Sequence, residues 1–525
     1  MGAIPAQADD RTIAHVLNRL GYGPRPGDIE RVRALGLAAY IEQQLHPERI
    51  DDRQVDARLG SLETLRMSSR EIAERFYLPL LEERRRRRAE RPPGEEARPP
   101  SDAQPSPPRE RPPDPMMAEV QRRARQPIAE LVEQKLLRAV SSERQLLEVM
   151  VDFWFNHFNV SATKGAARVF LTEYERDVIR PHALGRFRDL LGATAKSPAM
   201  LIYLDNWMSV DPERAEAFER RAAGFRRFLG PMRPPQAAPA ARRARGLNEN
   251  YARELLELHT LGVDGGYTQA DVVEVARAFT GWTIAAPRQG GGFRFVEALH
   301  DPRPKTVLGR RIDAGGIRDG EAVLDLLAAH PSTARFIATK LARRFVADDP
   351  PASLVERAAA RFRETGGDIR EVVRTIVTSP EFFAPAAYRA KVKTPFEFVV
   401  SAVRATGADV RRALPLARTL QQLGMPPYQC QPPTGYADTA DAWVSAGAMV
   451  TRMNFATELA SGRLPGMTVP IEAIVTGTAE ADRERVVRAL LGGDIGPATR
   501  ASLARAAGPQ ELVALALGAP EFQRR

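Results

Sequence analysis

The chain has 525 residues, 43% hydrophobic and 27% charged, which is enough apolar material for a sizeable core and the balance of a globular protein. No run of about 18 apolar residues occurs, which excludes a membrane-spanning helix, and the single cysteine, Cys430, can form neither an internal disulfide nor a thiolate zinc cluster. The formal charge of +10 sits in two stretches: residues 84–126 hold 12 Arg against 7 acids and residues 213–245 hold 9 Arg against 3, so the remainder is close to neutral and argues against a basic groove for nucleic acid.

Residues 1–10 have neither a basic start nor an apolar stretch, so no secretory signal is expected and the expected location is cytoplasmic. Helices are predicted over 11–83. Ile13, Val16, Leu17 and Leu20 recur at helical spacing before Gly21, and Asp28 caps a second stripe of Ile29, Val32 and Leu35 that stops at Gly36. A helix from Glu71 is predicted through Arg88. Residues 84–126 otherwise read as a disordered basic, Pro-rich insertion, too polar to offset its ordering entropy. Over 127–210 the stripes return with Ile128, Leu131, Val132 and Leu136, then Leu146, Val149, Met150 and Phe153.

Residues 211–246 read as a second flexible insertion, with a charged helix expected at 215–229. A helix follows over 248–262 and another over 272–279. Residues 290–312 read as one β-hairpin insertion, with Phe293 to Phe295 across a 301–304 turn from Thr306 to Leu308. Helices resume at Gly320. Pro198, Pro331, Pro380 and Pro520 are each expected at the first position of a helix, where the missing amide hydrogen has no partner to lose. Ser379-Pro-Glu-Phe-Phe and Ala519-Pro-Glu-Phe-Gln are nearly one unit used twice. The predicted architecture is mostly α: one large domain over 1–525, a multi-helix orthogonal bundle with the small hairpin and two disordered insertions.

Four constellations carry candidate chemistry. In 248–262, advancing about 100° per residue places Asn250, Glu254 and Glu257 on one face with Arg253 beside them, and Leu255, Leu256 and His259 on the other. Two carboxylates and an arginine could hold a divalent metal or act as general acid and base; the bland alternative has Asn248 as helix cap and Arg253 paired with Glu257. In 148–159, Glu148, Asp152 and Asn156 form a ridge among Phe153, Trp154, Phe155 and Phe158. A carboxylate there would be desolvated and its pKa raised, with His157 on a neighbouring face; the alternative is an ordinary core helix. His300, Asp301 and Lys305 gather at the expected hairpin turn, either facing a cleft or simply solvated. The segment from Pro426 to Tyr436 is stiff enough to close over a pocket, and its Cys430 reads as inert. No nucleophile elbow, phosphate loop or dinucleotide fingerprint occurs, which weakens hydrolase, nucleotidase and dehydrogenase readings.

Several motifs together resemble the bacterial family called domain of unknown function 1800: Leu17-Asn-Arg-Leu-Gly-Tyr-Gly23, Asp152-Phe-Trp-Phe-Asn-His-Phe158, the whole 248–262 segment, Ala278-Phe-Thr-Gly-Trp282, His300-Asp301, Lys305, Pro432-Pro-Thr-Gly435 and Trp443. The likeness covers nearly the whole chain outside the two insertions. It implies membership and supplies no activity. Members often sit beside genes of a sulfatase-like family, which implies such a partner, and many carry export signals, which implies export as the alternative location. The resulting expectation is an enzyme whose catalytic residues are Asp152, His157, Arg253, Glu254, Glu257 and His300. Trp154, Asn156, Asn248, Asn250, His259, Trp282 and Lys305 would bind, and carboxylates and imidazole would hold a divalent metal. A non-catalytic, partner-docking scaffold is the competing expectation, and nucleic-acid binding through the insertions the third.

Overall fold

The apolar stripes become helices in the computed structural model, which describes residues 4–5, 7–89, 114–214, 246–285 and 291–525. Asp10–Leu20 opens on Asp9, whose carboxylate accepts from the Thr12 amide at 2.8 Å, and Ile13, Val16, Leu17 and Leu20 face inward. Asp28–Leu35 stops at Gly36, whose positive φ of 89° a side chain would strain. Capping boxes at Ser68/Glu71, Thr268/Asp271 and Thr394/Glu397 start three further helices. One contiguous apolar cluster runs from Ile13 to Phe522. Among the described residues no helix is long and apolar enough to cross a membrane.

Both insertions are shorter than their composition suggests. Helix continues from Ser69 through Ala89, so Arg84 to Arg88 belong to it, and Pro115–Ser141 is a 27-residue helix capped by Asp114. The chain is drawn into that helix by Ala124, Leu131, Val132 and Leu136, which are buried, and Pro127 is carried inside it. Arg86 and Arg87 are paired with Glu83, and Arg122 with Glu119, so these arginines are not a free basic surface. Residues 90–113 and 215–245, including the helix expected at 215–229, lie outside the described residues. At the ends of the second gap Val210 donates to the Gly246 carbonyl at 2.7 Å.

The expected single hairpin is two separate ones. Phe293–Phe295 pairs with Trp282–Ile284, placing Trp282 opposite Phe295, whereas Lys305–Val307 pairs with Arg310–Ile312 around Leu308 and Gly309, both at positive φ. A third two-stranded sheet joins Asp409–Val410 to Met467–Thr468. Pro198 and Pro331 do open helices, but Pro380 and Pro520 stand in turns that follow Ile369–Val377 and Pro509–Gly518. The repeated unit is therefore a helix ending, which tucks Phe382 and Phe522 into the core.

The Pro395–Ala405 helix is buried along its entire length, charged residues included. Burying an ion without a partner is prohibitive, so each charge is matched. Arg404 meets Asp28 at 3.3 Å and the carbonyls of Gly23 and Val140. Glu397 meets Arg344 at 2.6 Å, Arg525 at 2.9 Å and the Thr394 amide at 2.9 Å. Burial alone would raise the Glu397 pKa, but the two guanidinium charges outweigh it and hold it at about 2. The stabilisation is accordingly present above the ordinary value of 4.5 and is lost as pH falls from there toward 2. Glu397→Gln is expected to destabilise the fold by about 3–5 kcal/mol, because two buried guanidiniums lose their anion. Urea unfolding followed between pH 7 and pH 3 should show the wild type losing more stability on acidification than the variant.

Candidate active site

The Gln145–His157 helix supplies one wall of a cavity of about 310 Å³. Its apolar side, Leu146, Val149, Met150 and Trp154, is in the core, and the Trp154 indole donates to the Ala183 carbonyl at 3.0 Å. Trp154 is thus a packing residue and does not line the cavity. The polar ridge splits by function. Glu148 is buried in a bidentate pair with Arg180 at 2.7 and 2.9 Å; burial is outweighed there by the Arg180 charge, so the carboxyl lies below its usual range. Asp152 reaches the cavity, yet it is held by Lys135 at 2.5 Å. The expected desolvated, unpaired acid is an ion pair.

Asn156 closes the cavity. Its amide nitrogen donates to the Tyr436 carbonyl at 2.8 Å and its oxygen accepts from the Tyr436 amide at 2.7 Å. The preceding residue must be glycine: a Cβ on Gly435, at φ +75°, would stand 2.3 Å from the Asn156 carbonyl oxygen. Asn159 donates to the carbonyls of Cys430 and Pro432 at 3.0 and 2.7 Å, and the Tyr203 hydroxyl donates to Gln431 at 2.6 Å. Residues 427–439 thereby form a fastened roof, in which Tyr428 adopts φ +61°. Such a conformation is strained for a side-chain-bearing residue and persists only where surroundings impose it; here the Tyr428 hydroxyl donates to Glu175 at 2.5 Å. Burial pushes the Cys430 thiol up to about 11, which leaves it a poor nucleophile.

His157 has its tautomer fixed by its neighbours. Nε2 lies 3.1 Å from the His259 carbonyl, which can only accept, so Nε2 carries the hydrogen and Nδ1 presents a lone pair. That lone pair accepts from the Lys340 ammonium at 2.9 Å. Burial, then the Lys340 charge, push the His157 pKa well below its usual value, and the same causes bring His259 down to about 3. Both rings are neutral at physiological pH. Lys340 makes no ion pair among the described residues, and burial lowers its pKa from 10.5 to about 8. Arg343 and Arg344 follow it into the same wall. The lining cations are Lys135, Lys340, Arg343 and Arg344, against Asp152 and Asp438.

The other expected residues lie elsewhere. Asn248 caps its helix, accepting from the amides of Asn250 and Tyr251, and Asn250 is exposed. Arg253 meets Gln269 at 2.8 Å and Glu249 at 3.9 Å, leaving Glu257 to the Tyr267 hydroxyl at 3.2 Å. Neither Glu254 nor Glu257 lines the cavity. Glu254 is half-buried, and burial together with Glu257 raises its pKa. The wheel's grouping of Glu254 with Glu257 and Arg253 stands, with Leu255, Leu256 and His259 buried on the other side, although the helix widens into a π turn over Leu255–Thr260, where Leu261 donates to Leu256, five residues back, at 2.8 Å. His259 contributes its carbonyl, at a helix end where carbonyls lack amide partners.

His300 and Lys305 meet at a separate, dry site. Asp319 accepts from Lys305 Nζ at 2.5 Å and lies 2.9 Å from His300 Nε2, whose Nδ1 donates to the Thr280 carbonyl at 2.8 Å, with side chains of all three at most 2% exposed. Trp282 is fully buried between Phe279 and Phe293 and against Gly320, where a Cβ would come within 2.5 Å of the indole. These residues hold the hairpins to the body rather than facing a cleft. Among the described residues no three His, Cys, Asp or Glu side chains gather as a metal site.

Sequence reasoning missed Lys340, Arg343, Arg344, Lys135 and Asn159. A signal existed: Lys340, Arg343 and Arg344 stand at i, i+3 and i+4 in the last turns of the Pro331–Phe345 helix. Removing the clamp tests the roof. Asn156→Ala is expected to destabilise by about 1–3 kcal/mol for the unpaired Tyr436 groups and to open residues 427–439 to limited proteolysis at a concentration that leaves the wild type intact there.

The model of the family described as "Protein of unknown function (DUF1800)" matches residues 15–524. No curated protein and no solved structure gives a significant match. With nearly its full length matched, the chain belongs to the DUF1800 family.

Proposed function

We propose that the chain is an enzyme that carries out acid–base chemistry on a small anionic molecule, one bearing a carboxylate or phosphate, in the roofed cavity. The observation that carries this reading is the Lys340 ammonium: it faces the cavity, donates to a neutral imidazole nitrogen at 2.9 Å and makes no ion pair among the described residues. A cation so placed is matched by a ligand charge. The volume of about 310 Å³ suits a metabolite-sized molecule. Arg344, aimed by Glu397, and Arg343 would grip the anion, and Lys340, with His157 fixing it, would accept or donate the proton.

The expected divalent metal finds less support than a cation-lined anion site, given where Glu254, Glu257 and His300 lie. Docking of a partner protein, such as a sulfatase-like neighbour, is the second reading. It is favoured by the exposed Val444, Met449 and Val450, 57%, 36% and 61% accessible, at the start of the Ala446–Ala460 helix. Nucleic-acid binding loses ground because Arg86, Arg87 and Arg122, near the first insertion, are ion-paired.

A panel of small carboxylates and phosphates, measured by calorimetry, tests the first reading. At least one is expected to bind the wild type, and at least tenfold more weakly to Lys340→Met. Affinity should hold below the folded-state pKa of about 8 and fall as pH rises through it, since the ammonium then becomes neutral, and this fall should vanish in Lys340→Met. Equal binding by both proteins, or none by the wild type, would count against it.

A further inference from the structure

A second cavity, of about 50 Å³, lies between the Asp10–Leu20 helix, the 388–393 segment and the 521–525 tail. Arg389, Lys393, Arg488, Arg524 and Arg525 line it, against one acid, Glu521. Glu521 is already engaged, accepting from the Gly496 amide at 2.8 Å and the Thr499 hydroxyl at 2.7 Å. Lys393 and Arg525 are 4% and 3% exposed. The Lys393 ammonium rests 3.8 Å over the Phe522 ring and makes no ion pair among the described residues. Arg525 Nε faces Glu397 at 2.9 Å, while Nη1 and Nη2 have no hydrogen-bond partner. Behind them, Arg19 leaves Nε and Nη1 equally unsatisfied.

Buried charged donors without acceptors cost about 1–3 kcal/mol each, and more where the charge itself is unmatched. Water in the cavity could accept hydrogen bonds but would leave the charge in place. A water needs roughly 10–15 Å³ of such space, so this cavity admits a few waters or one small ion and no nucleotide. Arg389 is spent on the carbonyls of Asp494 and Leu491, which leaves Lys393 and Arg488 as lining cations with no acceptor among the described residues. We propose that this cavity binds one small tetrahedral oxyanion, phosphate or sulfate, held by Lys393 Nζ and Arg488, with the charge of the Arg525 guanidinium behind them. The site is separate from the roofed cavity, with no lining residue in common. Glu397 stands between the two, paired with Arg344 of one and Arg525 of the other, so an oxyanion here would fasten the tail to the body.

Thermal unfolding of the full chain in phosphate-free buffer, titrated with sodium phosphate, sodium sulfate or sodium chloride at constant ionic strength, tests the proposal. Phosphate and sulfate are expected to raise the melting temperature saturably, with one equivalent bound by calorimetry in Lys340→Met, where the grip of the roofed cavity is weakened, and chloride to have little effect. Lys393→Met, which removes the ammonium but keeps the stem over Phe522, should bind phosphate at least tenfold more weakly. Because that variant could fold poorly, the rim variant Arg488→Ala should also weaken the phosphate response, and Lys340→Met should keep it intact. Equal responses to chloride and phosphate, an unchanged response in Lys393→Met and Arg488→Ala, or its loss in Lys340→Met would each overturn the proposal.

Discussion

One carboxylate organises the charged interior. Glu397, on a helix with no exposed face, draws Arg344 from one side and Arg525 from the other. Those arginines are walls of the two cavities, so the geometry of both rests on a single buried anion. The low-dielectric surroundings make each pairing obligatory: either partner alone would be an uncompensated ion. The same logic fixes Lys305 on Asp319 and Arg404 on Asp28. Against these matched pairs, a cavity-lining cation that lacks a carboxylate is a place for something else.

Lysine usage makes the same point. Of 76 basic residues only seven are lysine. Lys305, Lys391 and Lys393 are buried, and Lys135 and Lys340 line the larger cavity. Five of the seven thus sit in the interior or on a cavity wall, where a compact, titratable ammonium differs from a planar guanidinium. The roof over Lys340 is equally deliberate. Gly435, Asn156 and Asn159 leave the loop few alternatives, and the strained Tyr428 is held within it.

Local features were legible in the sequence and distant pairings were not. Asn248 as a cap, the stripe of Ile13, Val16, Leu17 and Leu20 and the loop closing over a pocket follow from residues interacting with near neighbours, whereas Asp28 does not cap its helix and Leu35 of its stripe is exposed. The single hairpin failed because Phe293–Phe295 chose a strand before it in the chain over one after it. The clustered His300 and Lys305 were visible, but Asp319, which turns them into a buried structural pair, was not. Asp152 looked like an active carboxylate until Lys135, a residue of the preceding helix, was placed beside it. Over 248–262 the grouping of Glu254 with Glu257 and Arg253 stands, but no residue pattern announced the π turn there. Lys340 carried no local signal of its pairing, because its partner, His157, is 183 positions earlier.

Because lysines are so few, lysine-selective carbon-13 labelling and NMR titration would report the state of Lys340 directly, with assignment by single substitution. The account predicts that its ε-carbon signal titrates near pH 8, well below the ordinary 10.5, and moves upward in pH when a pocket-binding anion is added. A signal that titrates near 10.5 and ignores added anions would contradict the claim that this ammonium is the working group of the site.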